Sequence, residues 1–254
     1  MSLLHAEYLK ITRRKLYPTM LVILAFFTAL SAFFLMVFGQ VAPDLAGDIP
    51  TVGKPFAYKF GAQQIAGQTW FPLILAVVML GGELGTTVWA TSLTRDSRRL
   101  IHILARLAVF TVASWAAFAL GTGLWSGIAF FAARGSGALA FAEWVGIAWK
   151  MGVIALAWTS LGLGTVAALR SMGPAIGAVL AFSFLESLVA LWDPYGNVSL
   201  TAATTALFEI SLGGIAGAFL PGANLSLPHA AAIIIGWALI GLGLTWWGLQ
   251  RRDA

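Results

Sequence analysis

The chain has no cysteine. That excludes disulfides, thiolate metal sites and cysteine nucleophiles, and it leaves the redox compartment unreadable. Charge is nearly as scarce. Only 10% of the 254 residues are Asp, Glu, Lys or Arg, against 59% hydrophobic. Soluble domains carry about 25% charged residues, so this chain cannot coat a water-facing surface. Catalytic signatures are missing too. Neither H-E-x-x-H nor G-x-S-x-G occurs. His5, His102 and His229 lie far apart, whereas metal sites need clustered ligands. These features predict no catalytic residues and no metal site. One near miss is Gly47 to Pro55, GDIPTVGKP. It has five residues between its glycines and Pro after its Lys, where a phosphate loop needs four and Ser or Thr. The chain is therefore not expected to bind ATP itself.

What remains is long apolar runs, and they predict an all-α membrane protein, one polytopic domain over 1–254 with six spans. Residues 1–17 are basic and amphipathic if helical, with Leu4, Tyr8 and Ile11 on one face, which suits a helix lying at the membrane surface. The first span is expected at about 19–41. It is too long for a signal-peptide core and no small-x-small cleavage site follows, so it reads as retained. Residues 42–68 hold Pro43, Gly47, Pro50, Gly53 and Pro55 and read as a loop, with Gln63, Gln64 and Gln68 at the outer end of a second span at about 62–82. Further spans are expected at about 107–132, 145–169, 175–191 and 229–249. Residues 193–228 form the loop between spans five and six. Within it, 201–220 is apolar but interrupted by Glu209, and its uncharged part is too short to cross. It reads as a surface helix or a re-entrant helix pair.

Six spans place both termini on one side. Eleven of the fifteen Lys and Arg residues fall there, and only Lys54, Lys59, Arg134 and Lys150 fall on the other. By the positive-inside rule the termini are cytoplasmic. The surplus of positive charge is thereby explained without nucleic acid.

Individual polar residues are less decisive. G-x-x-x-G begins at Gly81, Gly123, Gly173 and Gly213. With 28 glycines, about three occurrences arise by chance, so the motif says little about helix association. Glu186 lies in the fifth span, roughly 18 Å from Pro174 at 1.5 Å per residue and a little past mid-bilayer. It is either a substrate-path or proton-linked residue, or a structural hydrogen bond acceptor, for instance from Ser183, Ser187 or another span. Glu143 and Lys150, seven apart, read as a solvated or interfacial pair. Glu209 either lines an outer vestibule or reaches water.

The stretch 81–106, GGELGTTVWATSLTRDSRRLIHILAR, combines an acid with four arginines between two apolar runs. Glu83, then Gly85-Thr86, then Thr94-Arg95, Ser97-Arg98-Arg99 and Arg106 resemble the cytoplasmic signature of ABC type-2 permeases. Those proteins tend to read an acid, a Gly-Thr pair, a Leu-Thr-(Arg/Lys)-Pro-x-Ser-Arg run and a basic residue at the next span. Here Asp96 stands where proline is common, and one spacer residue is missing. The motif covers about 25 residues; the architectural resemblance extends over the whole chain.

The resemblance implies the membrane subunit of a bacterial ABC transporter, most often an exporter, in the cytoplasmic membrane. Two such subunits pair as a homo- or heterodimer. Two separate ATPase subunits, carrying ATP and Mg, dock beneath them, and 83–101 is the coupling segment that meets them. Glu83 is then expected at a hinge, pairing with Arg98, Arg99 or an N-terminal arginine. An amphipathic or lipid-like substrate is compatible with the apolar spans. The alternatives are an ion-coupled secondary carrier and a non-transporting membrane scaffold. A simpler account of the arginines is that they only enforce topology.

Overall fold

A computed structural model describes residues 3–41, 54–84, 99–133, 137–210 and 225–250. It is all helical over these residues, and six apolar stretches are long enough to cross a membrane. The helices are α1 (Leu3–Arg13), α2 (Leu16–Val41), α3 (Lys54–Ala66), α4 (Trp70–Leu84), α5 (Arg99–Ala132), α6 (Phe141–Leu169), α7 (Met172–Val189), α8 (Asp193–Gly196), α9 (Leu200–Leu207) and α10 (Leu227–Gln250). The spans are α2, α3 with α4, α5, α6, α7 and α10.

The second span departs from the expected loop at 42–68. Residues 54–66 are helical, so the span starts earlier and is broken rather than short. Pro55 causes no conflict, because the first turn of a helix has no internal partner for its N–H groups. The break at 67–69 has a similar origin. Gly67 disfavours helix, and Pro72 has no N–H to give the Gln68 carbonyl. The Gln68 carbonyl instead accepts from the Phe71 N–H at 3.1 Å, and Trp70 Nε1 donates to the Gln68 side-chain Oε1 at 2.7 Å. Thr69 Oγ1 lies 2.6 Å from Ser183 Oγ of α7, so the break is fastened to another span.

Burial sorts the spans into layers. The α3–α4 span and α6 are 67% buried across their apolar stretches, against 17–22% for α2, α7 and α10. Helix α6 is the hub, packing on α4, α5, α7 and α10. Its seam with α10 is backbone on backbone. A Cβ on Gly241 would lie 2.5 Å from the Ser160 carbonyl carbon, and one on Gly248 would lie 2.5 Å from that of Ala167. In lipid, such close approach replaces the hydrophobic drive that is missing there. The G-x-x-x-G pairs do not mark this seam. Gly123, Gly127, Gly173 and Gly177 have no heavy atom within 4 Å of a Cβ position. The outward faces of α2 and α7 carry Phe26, Phe33, Phe34, Phe184 and Leu185, all well exposed, as expected of surfaces that meet lipid.

The ends of the spans separate cleanly. At one end, a Cβ on Gly82 would sit 3.5 Å from Arg14 Nη1, and one on Gly81 would sit 3.1 Å from Val166 and 3.0 Å from Met172. At the other, Trp125 Nε1 donates to the Ala57 carbonyl at 3.0 Å, and Tyr58 and Trp144 lie ring to ring. A Cβ on Gly61 would fall 1.9 Å from Trp125 Cδ1, so this close contact requires glycine.

Candidate functional site: a buried charge cluster

Three elements converge where the chain leaves α4 and re-enters α5. Helix α1, the expected amphipathic helix, lies across this end. Leu4 and Tyr8 are 52% and 56% exposed, while Glu7 and Ile11, one turn apart, are buried. Glu83 sits on the last turn of α4 at 3% exposure, and Arg106 on α5 at 2%. Helix α5 begins at Arg99, earlier than the expected 107, because RRLIHILAR contains no helix breaker. Arg106 is therefore about two turns inside the helix, aimed back at the bundle.

Among the described residues, four charges meet here. Lys10 Nζ bridges Glu83 Oε1 at 2.8 Å and Glu7 Oε1 at 2.9 Å. Arg106 Nη2 donates to Glu83 Oε2, and Arg106 Nε lies 3.4 Å from Glu7 Oε1. Two carboxylates face two cations, so the cluster is formally neutral. Burying charge is costly unless it is paired and hydrogen bonded, and each of these charges has an opposite partner. Among the described residues Glu83 pairs with Lys10 and Arg106; Arg98 and the side chain of Arg99, two of the partners anticipated above, lie outside the described residues.

The expected coupling residues divide unevenly. Glu83 is described in full. Arg99 is described only as the first residue of α5. Gly85, Thr86, Thr94, Arg95, Ser97 and Arg98 lie outside the described residues. Glu7 and Lys10 were not singled out as functional from the sequence. The signal available was an acid at i and a base at i+3 on an otherwise basic segment.

Glu186 lies at the opposite end, on the last turn of α7, nearer the rim than the mid-bilayer estimate placed it. It is 2% exposed. Ser199 Oγ donates to its Oε1 at 2.8 Å, Thr201 N–H donates to the same oxygen at 3.1 Å, and Tyr195 OH donates to Oε2. Ser199 also caps α9 by accepting from Ala202 N–H at 3.1 Å. A carboxylate at a helix N-terminus is favoured by the exposed N–H groups and the helix dipole. The donors come from 195–201, not from Ser183 or Ser187. Burial, and then the hydrogen bond to the acidic Glu186, raise the pKa of the Tyr195 phenol well above its usual value.

The remaining pairs need correction. Glu143 and Lys150 do not meet. Glu143 Oε1 accepts from Lys59 Nζ at 2.7 Å, and Lys150 Nζ lies 3.7 Å from Glu209 Oε2. Glu209 holds a left-handed backbone, φ 53°, which ends α9 and turns the carboxylate toward α6. Helix α9 is not a surface helix. Leu200, Ala202 and Ala203 are fully buried as it packs on α10, α3 and α7. Residues 211–220 of the re-entrant candidate lie outside the described residues. Among the described residues, no group of three or more Asp, Glu or His could hold a metal ion.

Six spans, lipid-type outer faces and a polar rim at each end define a multi-pass helical membrane protein. In comparisons with known proteins, no family model and no curated protein matches the chain.

Proposed function

We propose that the chain is the permease subunit of a type-2 ABC transporter, an exporter driven by a separate ATPase subunit. The observation that carries this reading is the Glu7–Lys10–Glu83–Arg106 cluster. It holds both flanks of 85–98 and fastens them to α1. A segment that receives a push from a docked partner needs such an anchor, because force on a loop with slack flanks is not transmitted. A loop whose arginines only set topology needs no buried ionic clamp.

The permease pairs with a second permease subunit, and two ATPase subunits carrying ATP and Mg dock on 83–101. The α1 end faces the cytoplasm of a bacterial cell, in keeping with its basic residues. Gly85, Thr86, Thr94, Arg95, Ser97, Arg98 and Arg99 supply the docking surface. An amphipathic or lipid-like molecule is the cargo class. An ion-coupled carrier would call for an intramembrane acid that changes partner or protonation during transport. Glu186, with donors on both carboxylate oxygens, suits a fixed clamp better.

The test is purification from the native host in mild detergent. An ATP-binding subunit is expected to accompany the protein. Arg98→Glu with Arg99→Glu should then weaken that association or uncouple ATP hydrolysis from transport. Purification without any such subunit, or unchanged association and coupling in the double variant, would overturn the reading.

A further inference from the structure

A groove of about 700 Å³ opens between α1, the start of α2 and the middle of α5. Its walls include Leu4, Tyr8, Thr12, Tyr17, Val109 and Val112. Tyr17 OH donates to the Ala113 carbonyl at 2.9 Å and Thr12 Oγ1 to the Tyr8 carbonyl at 3.2 Å, so these two hydroxyls are satisfied; His5 also lines the groove, and the lining is otherwise largely apolar. Water does not fill apolar space that offers it no partners. The groove is open at its flank, where Tyr8 and Val112 are 56% and 61% exposed. In a membrane-spanning bundle, the medium at that flank is lipid.

The polar boundary is equally specific. The turn that joins α1 to α2 runs between the lining residues Thr12 and Tyr17. It carries Arg13 and Lys15, both exposed, while the Arg14 guanidinium turns away to Met79 Sδ of α4 at 3.9 Å. Two exposed cations beside the lining residues Thr12 and Tyr17 of an apolar slot match an acyl chain attached to an anionic phosphate. We propose that this groove holds an anionic phospholipid as a resident ligand, with an acyl chain along α5 and the headgroup phosphate at 13–15. The lipid fills the space beneath α1 and holds that helix against the bundle. This site rests on the membrane class of the protein and the groove itself, not on the permease reading.

The full-length protein is reconstituted into phosphatidylcholine vesicles doped with phosphatidylglycerol that carries a photoreactive acyl chain. Crosslinked peptides are mapped by mass spectrometry. Adducts are expected to concentrate on 4–12 and 108–116 and to be displaced by unlabelled phosphatidylglycerol far more readily than by phosphatidylcholine. Val112→Trp, at an exposed position, should block the groove and lower adduct yield there. Arg13→Glu with Lys15→Glu should lower the preference for phosphatidylglycerol at least about tenfold, while a phosphatidylcholine probe still labels the groove. Adducts spread evenly over the outer faces of α2, α7 and α10 in the unaltered protein would overturn the site. Equal competition by the two lipids would overturn the headgroup assignment. Neither outcome depends on whether an ATPase partner exists.

Discussion

Glu83 and Arg106 stand 23 residues apart in sequence and form a buried ion pair across the exit and re-entry of the chain. Glu7 and Lys10 of α1 complete the same cluster. Removing either member of the pair leaves an uncompensated buried charge, which costs about 3–5 kcal/mol. Glu83→Ala and Arg106→Ala should therefore each lower the thermal midpoint substantially, read by tryptophan fluorescence in detergent. Glu83→Leu combined with Arg106→Met leaves Glu7 and Lys10 balanced and should recover most of that loss. Singles no more harmful than loss of a surface pair, at about 1 kcal/mol or less, would show that the cluster is not a clamp.

The α6–α10 seam predicts a sharp contrast between glycines. Gly241→Ala would place a methyl group 2.5 Å from the Ser160 carbonyl carbon and should destabilise by about 1–3 kcal/mol through overpacking. Gly123→Ala meets nothing within 4 Å and should be neutral or stabilising by up to about 1 kcal/mol, since alanine favours helix. Detergent thermal melts of the two variants compare them directly. Equal behaviour would mean that the seam is looser than described.

Glu186→Ala removes the acceptor for Tyr195, Ser199 and the Thr201 N–H. The expected cost is about 1–3 kcal/mol, expressed locally as faster hydrogen exchange over 195–207 with little change at the α1 end. Glu186→Gln keeps an acceptor oxygen and should be milder. It should also leave any transport activity and its pH dependence intact. A changed pH dependence would make Glu186 a proton-linked residue instead of a fixed acceptor.

Tyr195 supplies a pH signature. Its raised pKa means that the folded state holds the neutral phenol more tightly than the unfolded chain does. The stability it contributes is present below the ordinary phenol pKa of about 10 and is lost as pH rises through the higher folded value. In an ultraviolet titration, the difference between the unaltered protein and Tyr195→Phe should therefore show no phenolate step near pH 10. A step at that pH would break the link between Tyr195 and Glu186.

The number of spans and the α1 helix were legible because composition and length alone decide whether a segment can cross a bilayer. The start of α3 was not. Pro43, Gly47, Pro50, Gly53 and Pro55 form one breaker-rich run in sequence; of these Pro55 lies among the described residues, in the first turn of α3, where proline costs nothing. The partners of charged residues were also hidden. Glu143 and Lys150 share a helical spacing, yet Lys59 and Glu209 reach them from elements far away in sequence. Glu83 and Arg106 stood out as residues of interest, but Glu7 could not, since its role exists only once α1 is folded against α4 and α5.

The glycine seam also bears on biogenesis. Chains enter the membrane in order of synthesis, and the helix that seats most closely on the hub, α10, follows every other described span. Until it arrives, the small-residue face of α6 around Ser160 to Ala167 has only lipid beside it. The backbone-to-backbone seam of the described helices is thus the last to close, and maturation of the whole fold waits on the insertion of residues 227–250.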